Sequence, residues 1–164
     1  MDQEAAHTRG WQTFEVVCGV PFLLGIALQL LVPLSFARGS LRLALILAGA
    51  GLFILGMVLV VLARRELRRH HQPTDPGRPT SQIVTTGVFS FSRNPLYLGG
   101  LSVLAGLALA FNLPWSLALL LPAAIACHIL LVIPEEKYLD DRFGTAYRQY
   151  AAAVHRWLGR ARHN

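Results

Sequence analysis

The chain has 164 residues, of which 54% are hydrophobic and only 15% are charged. A soluble domain carries about 25% charged residues, so this composition excludes an ordinary soluble protein and indicates a membrane protein. The net charge of +6 comes from basic residues that flank apolar stretches, which argues against nucleic acid as a partner. Both cysteines, Cys18 and Cys127, lie inside apolar stretches and are predicted to be packing residues rather than disulfide or metal ligands.

The first two predicted helices form an N-terminal pair within residues 1–62. The first apolar run covers residues 14–36, which is long enough to cross the hydrocarbon core and too long, with too acidic a start, for a cleaved signal peptide. The second run, residues 43–62, contains no charged residue and is the clearest predicted span. Because small residues let helices approach closely in lipid, tight packing is predicted at Gly49, Gly51 and Gly56.

An arginine-rich and proline-rich segment, residues 63–94, separates the two apolar halves. Helix two is predicted to continue a turn or two into it before the prolines end the helix. The next apolar block, residues 96–133, is too long for one span, and Asn112-Leu113-Pro114 divides it into helices over residues 97–111 and 114–133. The third helix is short, so we expect it to begin in a re-entrant or interfacial segment. A small-residue face for a partner helix is predicted at Ser102, Gly106 and Ala110.

The C-terminal tail has apolar residues every three or four positions among charged ones, starting after Pro134. This spacing predicts an amphipathic helix, or a pair of helices, on the membrane surface. The spaced residues are Tyr138, Leu139, Phe143, Tyr147, Tyr150, Val154 and Trp157.

Basic residues are concentrated in the segment of residues 63–94 and in the tail, whereas the opposite side carries only Arg38 and Arg42. The positive-inside rule therefore places both basic segments and both termini in the cytoplasm. All basic residues except Lys137 are arginines, which is typical of a GC-rich bacterial genome and favours a bacterial inner membrane. The predicted fold class is all-α: a single polytopic membrane helical bundle of about four transmembrane helices with a C-terminal amphipathic surface helix.

Two polar segments facing this same compartment hold residues that an anchor does not need: residues 83–97, and Glu135-Glu136 directly after Pro134. Adjacent carboxylates near hydrocarbon repel each other and require a cation, which is either Arg93 or a positively charged ligand. The alternative is that the two carboxylates stabilise the start of the surface helix by interacting with the positive N-terminal end of its dipole. Asn94-Pro95, taken alone, reads as the cap and first turn of helix three.

Taken together, these segments resemble the superfamily of isoprenylcysteine carboxyl methyltransferases and phospholipid methyltransferases. The resemblance covers roughly residues 80–157. It depends on the order and spacing of these pieces: Thr85-Thr86-Gly87-Val88-Phe89, Arg93-Asn94-Pro95-Leu96-Tyr97-Leu98-Gly99, Glu135-Glu136, Phe143-Gly144 and Tyr147-Arg148-Gln149-Tyr150.

The resemblance implies a membrane helical bundle whose C-terminal half, residues 80–157 here, wraps S-adenosylmethionine at the cytosolic face. Glu135 would hold the amino group of the cofactor, and Arg93 would either steady Glu136 or meet the cofactor's carboxylate. The sulfonium would provide the counter-charge that the carboxylate pair requires. The implied cofactor-binding set is Ser81, Gln82, Ile83, Val84, Gly87, Phe89, Asn94, Pro95, Leu96, Tyr97 and Glu135, and the implied catalytic set is Arg93, Asn94 and Glu136.

The sequence departs from the family pattern at four positions. Asn94 stands where the eukaryotic carboxyl methyltransferases have histidine, although an amide still donates and accepts hydrogen bonds. Leu131 stands where those enzymes carry an arginine that meets the substrate carboxylate, which argues against a prenylcysteine carboxylate as substrate. His155 and Gly159 replace common prolines, so the end of the surface helix is expected to run differently.

The predicted function is S-adenosylmethionine-dependent methyl transfer at the cytosolic membrane face to a lipophilic or membrane-associated carboxylate or amine. A carboxylate attacks as it is, whereas an ammonium must first lose a proton, and Glu136 and His128 are the candidate bases. His128 lies within the fourth helix, where the alternative is a neutral histidine hydrogen-bonded to a neighbouring helix. No metal site is expected, because His70 and His71 have no third ligand in view.

Two other functions are compatible with the spans. An NADPH-dependent membrane reductase related to the sterol reductases would also use a cytosolic pocket, but Glu135-Glu136 would repel a phosphate-rich cofactor. A non-enzymatic anchor or assembly protein leaves the motifs unexplained. The expected partners are a lipophilic small-molecule or lipid substrate and membrane lipids, and the sequence names neither the methyl acceptor nor the oligomeric state.

Overall fold

The computed structural model describes residues 12–36, 39–73 and 79–160, so Arg38 and the middle of the basic loop lie outside the described residues. These residues are mainly helical and form no β-strand apart from an isolated bridge between Val154 and Arg160. The helices are α1 (Val20–Leu31, preceded by a π-helical turn Glu15–Gly19), α2 (Ser40–Arg69), α3 (Pro95–Ala110), α4 (Pro114–Cys127), α5 (Ile133–Phe143) and α6 (Thr145–Ala153). A 3-10 turn, Gly87–Ser90, precedes α3. The all-α prediction is confirmed.

The closest helix pair is α2 with α3, and it is built on glycine. A Cβ atom at Gly49 would lie 2.6 Å from the Ala110 nitrogen and 2.7 Å from the Gly106 oxygen. A Cβ at Gly56 would lie 2.7 Å from the Gly99 oxygen. Tight packing is therefore confirmed at Gly49 and Gly56, and α2 is the partner of the predicted small-residue face of α3. The prediction is wrong for Gly51, which has open space around its Cβ position because it points away from α3.

The second pair is α1 with α4. Gly25 allows the backbone of Ser116 to come into contact, and the Ser116 hydroxyl donates a 3.0 Å hydrogen bond to the Phe22 carbonyl. Cys18 and Cys127 are fully buried in one apolar cluster with Val17, Ala123 and Leu131. Their predicted role in packing is confirmed.

The fourth helix does not end at Pro134. A π-helical turn, His128–Val132, joins α4 to α5, and the helix continues without a break from Pro114 to Phe143. In a π turn the hydrogen bonds shift from the i−4 to the i−5 carbonyl, so the chain passes the missing N–H of Pro134 without stopping. Glu135 and Glu136 consequently lie within a continuous helix, so the free N-terminus invoked to explain the acidic pair is not there.

The first helix is shorter than the predicted 14–36. It covers Glu15–Leu31, and residues 32–36 are irregular because Pro33 cannot continue the helical hydrogen bonds. The second helix continues to Arg69, as predicted. Ser40–Arg69 and Pro114–Phe143 are long and apolar enough to cross a membrane. Only 11% and 33% of an 18-residue apolar stretch in each helix is buried inside the protein. Glu15–Leu31 and Pro95–Ala110 are shorter apolar helices.

The predicted amphipathic tail forms two short helices, α5 and α6, with a reversal at Gly144 between them. The apolar side of α6 packs on the protein, where Tyr147, Tyr150 and Val154 cluster with Ile83 and other apolar residues. This covers an apolar face that the sequence predicted to lie on the membrane surface. The tail is part of the fold that shapes the site.

Candidate functional site

A cavity of about 460 Å³ lies between residues 12–15 before α1, the C-terminal half of α2, the segment of residues 80–89, α3, the first half of α5 and Tyr150 of α6. Its volume falls within the range of small-molecule sites. Most of the sequence-predicted site residues line it: Gln82, Ile83, Val84, Phe89, Arg93, Asn94, Pro95, Leu96, Tyr97 and Glu135. Three predicted residues do not line it: Ser81, Gly87 and Glu136.

Glu135 presents its carboxylate to the cavity and is held by the motif at the start of α3. The Tyr97 hydroxyl donates a 2.8 Å hydrogen bond to Glu135 Oε2. Pro95 is the first residue of α3 and completely buried, so it fixes the direction in which the first turn presents Tyr97. Phe14, at the start of the first helix, places its ring 6.3 Å from that of Tyr97.

Asn94 does not cap α3 with its side chain, contrary to the cap interpretation of the motif. Its amide instead donates to Glu136 Oε1 at 3.1 Å and to the Arg156 carbonyl at 3.3 Å. Asn94 therefore connects α3 with the acidic pair and with the C-terminal segment, although these three segments are far apart in sequence.

Glu136 is buried beneath the cavity and is surrounded by cations. Arg156 donates to Glu136 Oε2 from Nε at 3.0 Å and from Nη2 at 2.8 Å. Arg93 Nη1 lies 3.5 Å from Glu136 Oε1 and donates a 3.3 Å hydrogen bond to the Tyr147 hydroxyl. Arg93 Nε is buried and has no hydrogen-bond partner among the described residues. The cation closest to Glu136 is thus Arg156. From the sequence, Arg156 was recognised only as part of a basic tail.

Two neighbours of Glu136, Tyr147 and Arg156, keep their ordinary protonation states. Burial, together with the charge of Glu136, raises the pKa of Tyr147 to about 12. The hydrogen bond to Glu136 raises the pKa of Arg156 above its ordinary value. Tyr147 therefore remains a neutral phenol and Arg156 a cation throughout the neutral range.

The segment before the 3-10 turn is held by a buried glutamine. Gln72 Oε1 accepts hydrogen bonds from the backbone N–H groups of Ser81 at 2.8 Å and Gln82 at 3.3 Å, and its Nε2 donates to the Ser81 hydroxyl at 2.8 Å. The Ser81 side chain is thus turned toward Gln72, while Gln82 and the two residues after it line the cavity. Sequence reasoning missed Gln72, since a lone glutamine after a helix carries no recognisable signal.

The 3-10 turn is fixed by Glu66, a buried acid near the end of α2. The Thr86 hydroxyl donates to Glu66 Oε1, and a Cβ at Gly87 would lie 2.9 Å from Glu66 Cδ. Gly87 has φ +58°, a region that favours glycine. Gly87 therefore shapes the turn that directs Phe89 to the cavity, and the Tyr150 hydroxyl donates a 2.7 Å hydrogen bond to the Phe89 carbonyl.

The C-terminal segment after α6 folds back onto the chain just before α3. The N–H of Arg93 donates to the His155 carbonyl at 3.2 Å, the N–H of Gly159 donates to the Phe91 carbonyl at 2.8 Å, and Arg160 Nε donates to the Ser90 carbonyl at 3.0 Å. Gly159 has φ +108°, which permits the reversal. The residues around His155 and Gly159 thus form a loop that carries Arg156 to Glu136.

His128 and Leu131 lie away from the cavity. Leu131 is 1% exposed and packs in the cluster around Cys18. His128 Nε2 lies 3.5 Å from Arg156 Nη1, and its Nδ1 is buried without a partner among the described residues. The ring is 5.8 Å from that of Trp157, so the polar and aromatic partners recorded for His128 both lie in the C-terminal loop.

The architecture and the site together define a helical protein with two helices apolar enough to cross a membrane and a mixed polar and apolar cavity at their polar ends. The sequence model of the family described as phospholipid methyltransferase matches residues 44–146, more than half of the chain. This chain belongs to the phospholipid methyltransferase family. The membership indicates a methyltransferase and fits a membrane protein. No curated protein and no solved structure shows significant similarity to the chain.

Proposed function

We propose that this protein transfers a methyl group from S-adenosylmethionine to a lipophilic or membrane-associated acceptor, a carboxylate or an amine. The observation that carries the proposal is a cavity in which Glu135, Tyr97 and Arg93 face apolar residues of α2 and α3. Family membership supports methyl transfer over the reductase and anchor alternatives.

The residues of the cavity fit the chemistry of the cofactor. S-adenosylmethionine carries two cationic groups, a carboxylate and an adenine ring whose flat faces stack on apolar side chains. Glu135 supplies an anion for the ammonium, and the buried Arg93 Nε, unpartnered among the described residues, supplies a donor for the carboxylate. Phe89 and Leu139 supply apolar surface for the ring. When bound, the cofactor supplies an activated methyl group.

The protein contributes alignment and exclusion of water to such a displacement. Tyr97 orients the Glu135 carboxylate, and Asn94 connects α3 to Glu136. Both oxygens of Glu136 accept hydrogen bonds from protein groups, so its geometry supports a positioning role better than proton abstraction. His128 lines no part of the cavity, and a carboxylate acceptor needs neither residue as a base.

The acceptor would enter from the bilayer. Met57 and Val60 of α2 and Val103 and Leu104 of α3 line the apolar side of the cavity. We place four crossings in a bacterial inner membrane with both termini in the cytoplasm, as the distribution of arginine favours. Glu15–Leu31 is about 25 Å long at 1.5 Å per residue, so it would cross with local thinning of the bilayer.

Calorimetric titration of S-adenosylmethionine into the full chain in detergent tests the proposal. Glu135→Gln should weaken binding about tenfold or more, because it removes a charge-assisted contact without changing shape. Asp141→Asn is the matched control, since Asp141 lies on the same helix, is exposed and pairs with Lys137 at the surface.

Absence of binding to the parent protein, or equal binding by Glu135→Gln and the parent, would refute the proposal. Binding of NADPH instead would favour the reductase alternative. A transfer assay with labelled methyl donor and fractionated lipid extracts then identifies the acceptor.

A further inference from the structure

Two arginines line the cavity, and only one of them belongs to the proposed cofactor end. Arg93 lies beside Glu136, whereas Arg64 projects from α2. Among the described residues no carboxylate lies within ion-pair distance of Arg64. The role of Arg64 in the cavity is therefore not explained by the contacts that hold the cofactor end together.

The position of Arg64 on α2 relates it to the apolar side of the cavity. Met57, Val60, Arg64 and Leu67 all line the cavity and follow one another at intervals of three or four residues, so they form one face of the helix. Arg64 stands about 10 Å along the axis from Met57. The uncharged stretch of α2 ends at Ala63, so Arg64 lies where the polar headgroups of a bilayer would begin.

We propose that Arg64 binds an anionic group, a phosphate or a carboxylate, on the lipophilic acceptor. An amphiphile with its chain against Met57 and Val60 brings its headgroup to the guanidinium of Arg64. A guanidinium forms two parallel hydrogen bonds with such an anion, and the apolar wall beside it reduces competition from water. Arg64 is then a specificity residue that selects acceptors with a negative charge near the membrane surface. The inference deepens the proposed function and rests on it.

Glu15, the first residue of the first helix, is another charged side chain that lines the cavity. Its negative charge disfavours the binding of an anion in the cavity, which gives the proposal a second test. If the anion binds in the cavity, removing the charge of Glu15 should tighten binding.

The chain offers a matched control in Arg65. It is the next residue of the same helix and is also exposed, but it points about 100° away around the axis and does not line the cavity. Loss of Arg65 changes the net charge by the same amount as loss of Arg64. A general attraction of anions to the basic end of α2 would depend equally on both arginines.

The test measures the affinity of the full chain for three probes by native mass spectrometry after release from neutral detergent. The probes have equal chain length and are hexadecyl phosphate, hexadecanoate and hexadecanol. The parent should bind the stronger anionic probe about tenfold more tightly than hexadecanol. Arg64→Gln should abolish this preference and leave hexadecanol binding unchanged. Arg65→Gln should keep most of the preference, and Arg64→Lys should keep only part of it because an ammonium lacks the paired N–H groups. Glu15→Gln should increase the preference. The stronger anionic probe identifies phosphate or carboxylate as the preferred group.

The inference is overturned if the preference survives in Arg64→Gln, or if Arg65→Gln loses it equally. Titration of S-adenosylmethionine into the same samples separates the two proposals. Arg64→Gln should bind the cofactor as the parent does, and loss of that binding would place Arg64 at the cofactor end and overturn the inference. If the parent shows the Arg64-dependent preference but binds no cofactor, the anion site stands and the methyltransferase proposal fails.

Discussion

Arg156 should control cofactor binding without lining the cavity. Its guanidinium donates twice to Glu136 Oε2, at 3.0 and 2.8 Å, whereas Arg93 approaches the other carboxylate oxygen only to 3.5 Å. Arg156 thus neutralises Glu136 and leaves Arg93 available to the cavity. In Arg156→Gln, Glu136 loses its closer cation and should draw Arg93 toward itself, so the carboxylate of the cofactor should lose its partner.

The magnitude follows from the contacts that are lost. Hydrogen bonds to charged groups contribute about 1.5–3 kcal/mol each. The Arg156 side chain is 38% exposed, and Arg93 remains beside Glu136. We therefore expect Arg156→Gln to lower the free energy of unfolding by about 1–2 kcal/mol. The affinity for S-adenosylmethionine should fall about fivefold to tenfold, which corresponds to about 1 kcal/mol.

A double-mutant cycle distinguishes this charge balance from a general loss of structure. Removing Glu136 as well, in Glu136→Gln with Arg156→Gln, eliminates the anion that competes for Arg93. Cofactor affinity, measured by calorimetric titration, should recover toward the parent value, so the two substitutions should be strongly non-additive. Affinity of the double variant equal to or weaker than that of Arg156→Gln would refute the reasoning.

Three further predictions concern glycine and turn positions. Gly49→Ala should lower the unfolding free energy in detergent by about 1–3 kcal/mol because its Cβ meets α3, whereas Gly51→Ala should not destabilise; equal effects would contradict the packing. Gly159→Ala, at φ +108°, should cost about 1–3 kcal/mol and expose the C-terminal loop to trypsin; unchanged cleavage rates would contradict its role. Thr86→Val, which leaves Glu66 without its hydroxyl donor, should cost about 1–3 kcal/mol in thermal unfolding. Thr145→Val is the control, since both threonines are exposed but the Thr145 hydroxyl has no hydrogen-bond partner among the described residues.

Local patterns in the sequence predicted much of the fold. Uninterrupted apolar stretches indicated α2 and the fourth helix. Small residues on α2 and α3 indicated that each packs closely on a partner helix, because spacing along a helix determines which residues share a face. Two local predictions were wrong in detail. Gly51 does not face α3, because composition does not show which side of a helix meets a neighbour. The fourth helix does not end at Pro134, because composition does not reveal a π turn.

The candidate site was predictable only where residues form a recognisable motif. The Asn94 to Tyr97 segment and Glu135 line the cavity together, as their family resemblance implied. Arg156, Gln72 and Glu66 were missed, because each acts through a contact with a residue distant in sequence. A basic tail, a lone glutamine and an acid among arginines give no local sign of the partner that the fold provides.

The π turn at His128–Val132 determines the direction in which Glu135 and Glu136 point around the axis of their helix. Such a turn accommodates one extra residue within a helix, and one residue corresponds to about 100° of rotation around the axis. Deleting a single residue there would leave a helix still long and apolar enough to cross a membrane, but would rotate Glu135 away from Tyr97 and Glu136 away from Arg156. The length and apolar character of the helix would be kept while both carboxylates lost their partners.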